Sequence, residues 1–122
     1  MTKTMRARDL SFLLSEASGN RSRETVTLSG SDGLIAAGTV LGKMTASGKY
    51  KPATAAGNDG AEKGAAVLCY AVDPGGQDAE VVVIARDAEV KEPLLVFHTS
   101  VNTGAEITAK RDELAEAGII TR

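Results

Sequence analysis

Ala65-Ala66-Val67-Leu68-Cys69-Tyr70-Ala71-Val72 is the stretch on which the fold turns. It is a continuous apolar run bounded by turn residues, the pattern of a central strand. Downstream, Asp73-Pro74-Gly75-Gly76-Gln77-Asp78 supplies a strong turn, and residues 79–85 then repeat the β-branched theme as Val81-Val82-Val83-Ile84. Upstream, residues 53–64 are a long loop of small residues that ends in Glu62-Lys63-Gly64.

The pattern extends outward in both directions. Thr25-Val26-Thr27-Leu28 favours a strand with Val26 and Leu28 on one face, followed by the turn cluster Ser29-Gly30-Ser31-Asp32-Gly33. In residues 34–45, Gly38 marks a turn and Gly42 a bulge or a close backbone approach. Ala46-Ser47-Gly48-Lys49 reads as a hairpin turn into Tyr50-Lys51-Pro52, with Pro52 at an edge or strand end because it has no amide to donate. Leu94-Leu95-Val96-Phe97 is a short strand or an apolar plug.

One helix is expected, at the C-terminus. Thr103-x-x-Glu106 fits a capping box, with Thr108 a competing N-cap. Ile107, Leu114 and Ala115 share a face at helical spacing, while Lys110, Arg111, Asp112, Glu113 and Glu116 read as the solvated side. Gly118 suits a left-handed ending, with Ile119 packing back on Leu114. The fold class expected is therefore mainly β with one C-terminal α-helix: a small β-clip-like or barrel-like domain carrying an extended N-terminal arm. The division expected is an arm over residues 1–23 and a β-rich body over residues 24–122.

Composition agrees with a single small domain. Of 122 residues, 43% are hydrophobic, enough for a core, but only 3% are aromatic and Trp is absent. Val, Ile, Leu and Ala must therefore build the core. The net charge of −2 argues against a nucleic-acid partner. Its distribution is uneven. Residues 1–23 carry Lys3, Arg6, Arg8, Arg21 and Arg23 against Asp9 and Glu16, a net of +3, and the remainder carries −5. A basic arm on an acidic body suggests a docking segment. No apolar stretch reaches the ~18 residues of a membrane span. Ser11 and Ser15 bracket only Phe12-Leu13-Leu14, too short for a signal-peptide core, so a soluble protein made in the cytoplasm is expected.

Catalytic chemistry is sought and not found. Gly33-x-x-x-x-Gly38 has the first spacing of a P-loop but continues Thr39-Val40, and Gly48-Lys49 is followed by Tyr50. His98 is the single histidine, without an HxxH or HxxxH partner. Ser15, Ser18 and Ser22 have no neighbouring base, and no GxSxG elbow is present. Asp59, Asp73 and Asp78 sit in Gly-containing turns and lack EF-hand spacing. Cys69, alone in an apolar run, is a small buried hydrophobe. No catalytic residue, cofactor or metal is expected, and no enzyme activity.

The segment Leu14-Ser15-Glu16-Ala17-Ser18-Gly19-x-x-Ser22-Arg23 resembles the N-terminal signature of lambda-type bacteriophage head decoration proteins, the cement proteins of tailed-phage capsids. Leu34-x-x-x-Gly38-Thr39-Val40-Leu41-Gly42, Ser47-Gly48-Lys49-Tyr50, Gly57-x-Asp59-Gly60 before Ala65-Ala66-Val67-Leu68, and Leu114-x-x-x-Gly118-Ile119-Ile120-x-Arg122 resemble the family in the same order. The resemblance implies a β-clip-like homotrimer at local threefold positions on the outer surface of the virion. There the arm would reach onto the major capsid protein and hold the expanded shell against DNA pressure, with neither nucleic acid nor membrane as partner. The docking residues so implied are Phe12, Leu13, Leu14, Ser15, Glu16, Ala17, Ser18, Gly19, Arg21, Ser22, Arg23, Thr25 and Val26. A second reading starts from Ala37-Gly38-Thr39-Val40-Leu41, which is similar to the opening of SAF-type β-clip domains and implies a ligand- or carbohydrate-binding module. Only Tyr50 and Tyr70 could serve it as stacking platforms.

Overall fold

The computed structural model describes residue 10 and residues 12–17, 21–30 and 34–122. Eight strands and one α-helix are present among them: β1 (Leu13–Glu16), β2 (Arg23–Leu28), β3 (Val40–Lys43), β4 (Tyr50–Pro52), β5 (Gly64–Leu68), β6 (Ala79–Ile84), β7 (Ala88–Val90), α1 (Gly104–Glu116) and β8 (Ile119–Thr121), with a 3-10 turn at Glu92–Leu94. Five strands close a barrel in the order β2-β4-β3-β5-β6, and β1-β7-β8 form a separate small sheet. Within the barrel only β2–β4 is parallel; the longest ladder is antiparallel, from Arg23 opposite Ile84 to Leu28 opposite Ala79. The described residues are thus mainly β with a single C-terminal helix, as the patterning predicts.

Two apolar clusters explain why the central strands read as unbroken apolar runs. Leu28, Leu41, Tyr50, Ala66, Leu68, Val81 and Val83, drawn from all five barrel strands, pack together inside the barrel. Their neighbours Val40, Val67 and Ile84 point the other way, into a second cluster with Phe12, Ala88, Val90, Leu114 and Ile119. β3, β5 and β6 are therefore buried on both faces, so alternation is lost.

Gly42 lies where the β3–β5 register shifts, and a Cβ there would overlap the Ala61 backbone, so both expected roles of this glycine coincide. Gly38 has a φ of +90° in the turn before β3. Pro52 ends β4, as expected.

Two local readings differ, and a third is decided between its alternatives. The central strand stops at Leu68: the chain bends at Cys69 and Tyr70, and Val72 returns as an isolated bridge to Ile35. Of the two readings of residues 94–97, the plug holds: Leu95 is buried and Val96 bridges Thr39. On α1 the buried positions are Lys110 and Leu114, while Ala115 is exposed. Lys110, expected on the solvated face, lies beneath the helix with its ammonium donating to the Glu62 carbonyl and to Glu113. An aliphatic stem can fill an apolar face if its charged end finds acceptors, and composition does not reveal such acceptors.

The helix ends follow the sequence closely. Thr103 Oγ1 accepts from the Glu106 amide while the Glu106 carboxylate accepts from the Thr103 amide, completing the capping box. Gly118, at φ +92°, ends the helix, and Ile119 shares a cluster with Leu114. Among the described residues no helix is long and apolar enough to cross a membrane.

Candidate functional site

Among the described residues, those expected to dock lie at residue 12, along β1, at residues 17, 21 and 22, and in β2. Phe12 is fully buried in the outer cluster, and its carbonyl accepts from the Lys91 amide at 2.6 Å. This side chain, expected on a projecting arm, packs in the cluster of Ala88, Val90 and Leu95 beside Gly38. β1 then pairs antiparallel with β7: Leu13 opposite Val90, Ser15 opposite Glu89 and Glu16 opposite Ala88. The register shifts between Leu13 and Ser15, leaving Leu14 as the extra residue, 47% exposed. β1 forms one edge of its sheet.

The end of β1 and the start of β2 are held by internal polar contacts. Glu16 accepts two bonds from one guanidinium, Arg23 Nη2 to Oε1 at 2.7 Å and Arg23 Nε to Oε2 at 2.9 Å. Arg23 Nη1 donates to the Tyr70 hydroxyl at 3.1 Å. Both charged side chains are only about a quarter exposed. Hydrogen bonding to Arg23 holds the Glu16 carboxyl below the usual carboxylate range, and Glu16 raises the Arg23 guanidinium in turn.

Ser22, also fully buried, accepts from the Ala17 amide and donates to the Asp87 carbonyl, each at 2.8 Å. It thereby stitches the end of β1 to the β6–β7 corner, where Asp87 has a φ of +51°. Arg86 closes the corner by donating to the Arg21 carbonyl and to Glu24.

Outside this stitched corner lies an open groove of about 620 Å³, lined among others by Ser15, Arg21, Glu89 and Ile120. Ile120 is 39% exposed, and with Leu14 it puts apolar surface on the small sheet.

The structure therefore engages Glu16 with Arg23, Ala17 with Ser22, and Arg21 with Arg86 and Asp87. Thr25 and Val26 lie apart, in β2 opposite Val82 and Val81. Ser18 and Gly19 fall outside the described residues. Sequence reasoning missed Tyr70, Arg86, Asp87, Glu89 and Ile120, each more than 45 positions away in the chain with no local signal to join them to β1.

Other reactive groups are engaged locally. His98 Nδ1 accepts from the Ser100 amide at 3.1 Å and lies 2.9 Å from the Ser100 hydroxyl, a short turn contact. Burial pushes the Cys69 thiol up to about 11. Asp59 and Asp73 accept the amides of Ala61 and Gly75 within their own turns, and Asp78 accepts the Gly30 amide across the fold. Among the described residues, no three His, Cys, Asp or Glu side chains are grouped to hold a metal ion.

A family model described as bacteriophage lambda head decoration protein D matches residues 2–119. No curated protein matches the chain.

Proposed function

The chain belongs to the bacteriophage lambda head decoration protein D family, and on that premise we propose that it stabilises a phage head mechanically, without catalysis. Homotrimers bind the major capsid protein at local threefold positions on the outside of the expanded shell and hold it against the pressure of packaged DNA. The nearly full-length family match carries this reading.

The small sheet supports it physically. β1 is an edge strand, and an edge can accept or extend a strand of a partner. Of the residues read as docking positions, Leu14, Ser15, Arg21 and Thr25 are exposed, while Phe12 and Ser22 are buried. Three linked copies would raise the effective concentration of each later contact.

Mixing the protein with empty expanded shells and sedimenting them tests the reading. Saturable co-sedimentation, with a solution mass of three chains, is expected. Absence of binding at micromolar concentration would overturn it. The described pairings of β1 and β2 involve none of residues 1–9, so a variant lacking them that binds weakly at an unchanged thermal midpoint would report docking rather than folding.

A further inference from the structure

β1 is a poor keeper of its own register. It has four residues, pairs on one side and carries a bulge at Leu14. A slip of one residue would turn Leu14 inward and Leu13 outward, reversing the surface that the strand presents. Something outside the ladder must hold it. At the N-terminal end Phe12 is fixed in the core. At the C-terminal end both carboxylate oxygens of Glu16 are taken by Arg23, the first residue of the barrel strand β2. Arg23 is itself braced by Tyr70, and Ser22 ties Ala17 to Asp87. Glu16 and Arg23 thus spend their polar atoms inside the protein, on each other and on Tyr70.

We infer that Glu16 and Arg23 are positioning residues: their bidentate pair, braced by Tyr70, latches β1 in the register that turns Leu14 and Ser15 outward to the capsid protein, and neither charged group itself makes the docking contact. The inference deepens the capsid-binding reading and rests on it. An internal pair and a direct contact differ in one respect. Exchanging the two charges preserves an internal pair, but places each charge wrongly for an external partner.

The test uses Glu16→Arg, Arg23→Glu and the double exchange in the full chain. It measures affinity for expanded shells, thermal midpoint, and amide exchange of residues 13–17 in the free protein. Each single variant should lose about tenfold or more in affinity and speed exchange in β1 by a similar factor, with a melting midpoint within a few degrees of the wild type. The double exchange should recover most of both losses. A double exchange as weak as the poorer single variant would mean that the charges meet the capsid directly, and would overturn the inference. So would single variants whose amide exchange is unchanged, a result that needs no shell. If a charge reversal prevents folding, Glu16→Gln and Arg23→Lys read the same quantities, because each removes the fork-to-fork pairing without creating a like-charged pair. Wild-type protein that ignores the shells fails the capsid reading instead, while amide exchange still decides the latch.

Discussion

Lys110 Nζ lies 3.1 Å from Glu113 Oε1 beneath helix α1, with the lysine side chain 2% exposed. The same carboxylate oxygen accepts the Gly64 amide at 2.8 Å, so one Glu113 oxygen joins the helix to the first residue of β5. Burying an ammonium is tolerable only while its acceptors remain. Glu113→Ala leaves both the ammonium and the Gly64 amide short of an acceptor. We expect it to cost about 3 kcal/mol in denaturant unfolding. Lys110→Met keeps the stem packed and removes the charge, and should cost less than Glu113→Ala in the same experiment.

Gly42 sets a second expectation. A methyl group at this position would overlap the Ala61 backbone, which has no flexible side chain to yield. Gly42→Ala should therefore destabilise by roughly 2–3 kcal/mol despite being the smallest possible change. Gly75→Ala is the control: its φ of +65° is strained, but a Cβ there meets nothing within 4 Å. The control should cost only about 1 kcal/mol, visible as a smaller shift in the unfolding midpoint.

Acid should weaken the fold. Arg23 lowers Glu16, Lys51 lowers Asp59, Lys49 lowers Asp78, and the Asn102 and Thr103 amides lower Glu106. Each carboxyl binds its proton less readily folded than unfolded. Its stabilising effect is present above the ordinary carboxylate value of roughly 4 and is lost as pH falls through the lower folded value. Thermal midpoints should drop between about pH 5 and pH 3. Glu16→Gln should flatten part of that drop; an unchanged profile would count against the Glu16–Arg23 pair as its source.

Cys69 offers a readout of global opening. The thiol is fully buried and burial raises its pKa to about 11, so the nucleophilic thiolate is scarce at pH 8. A thiol reagent should label the native protein far more slowly than the denatured protein, which should yield one thiol per chain. Fast native labelling would mean that the corner after β5 opens independently of the rest.

Local chemistry was legible from the chain alone. The capping box at Thr103 and Glu106, the left-handed Gly118, the turn at Gly38 and the apolar runs of β5 and β6 each rest on neighbours a few positions apart, where backbone sterics and short-range hydrogen bonds act. The resemblance carried by residues 14–23 was legible too, but not what those residues do in space. Only tertiary structure decided that Phe12 and Ser22 are interior, that Glu16 and Arg23 bond each other and that Lys110 sits under a helix. Burial and charge pairing depend on which distant segments meet. A short edge strand such as β1 has too few contacts of its own to announce that it folds back on β7, and a lysine at helical spacing looks solvated until the Glu62 carbonyl and Glu113 are seen around it.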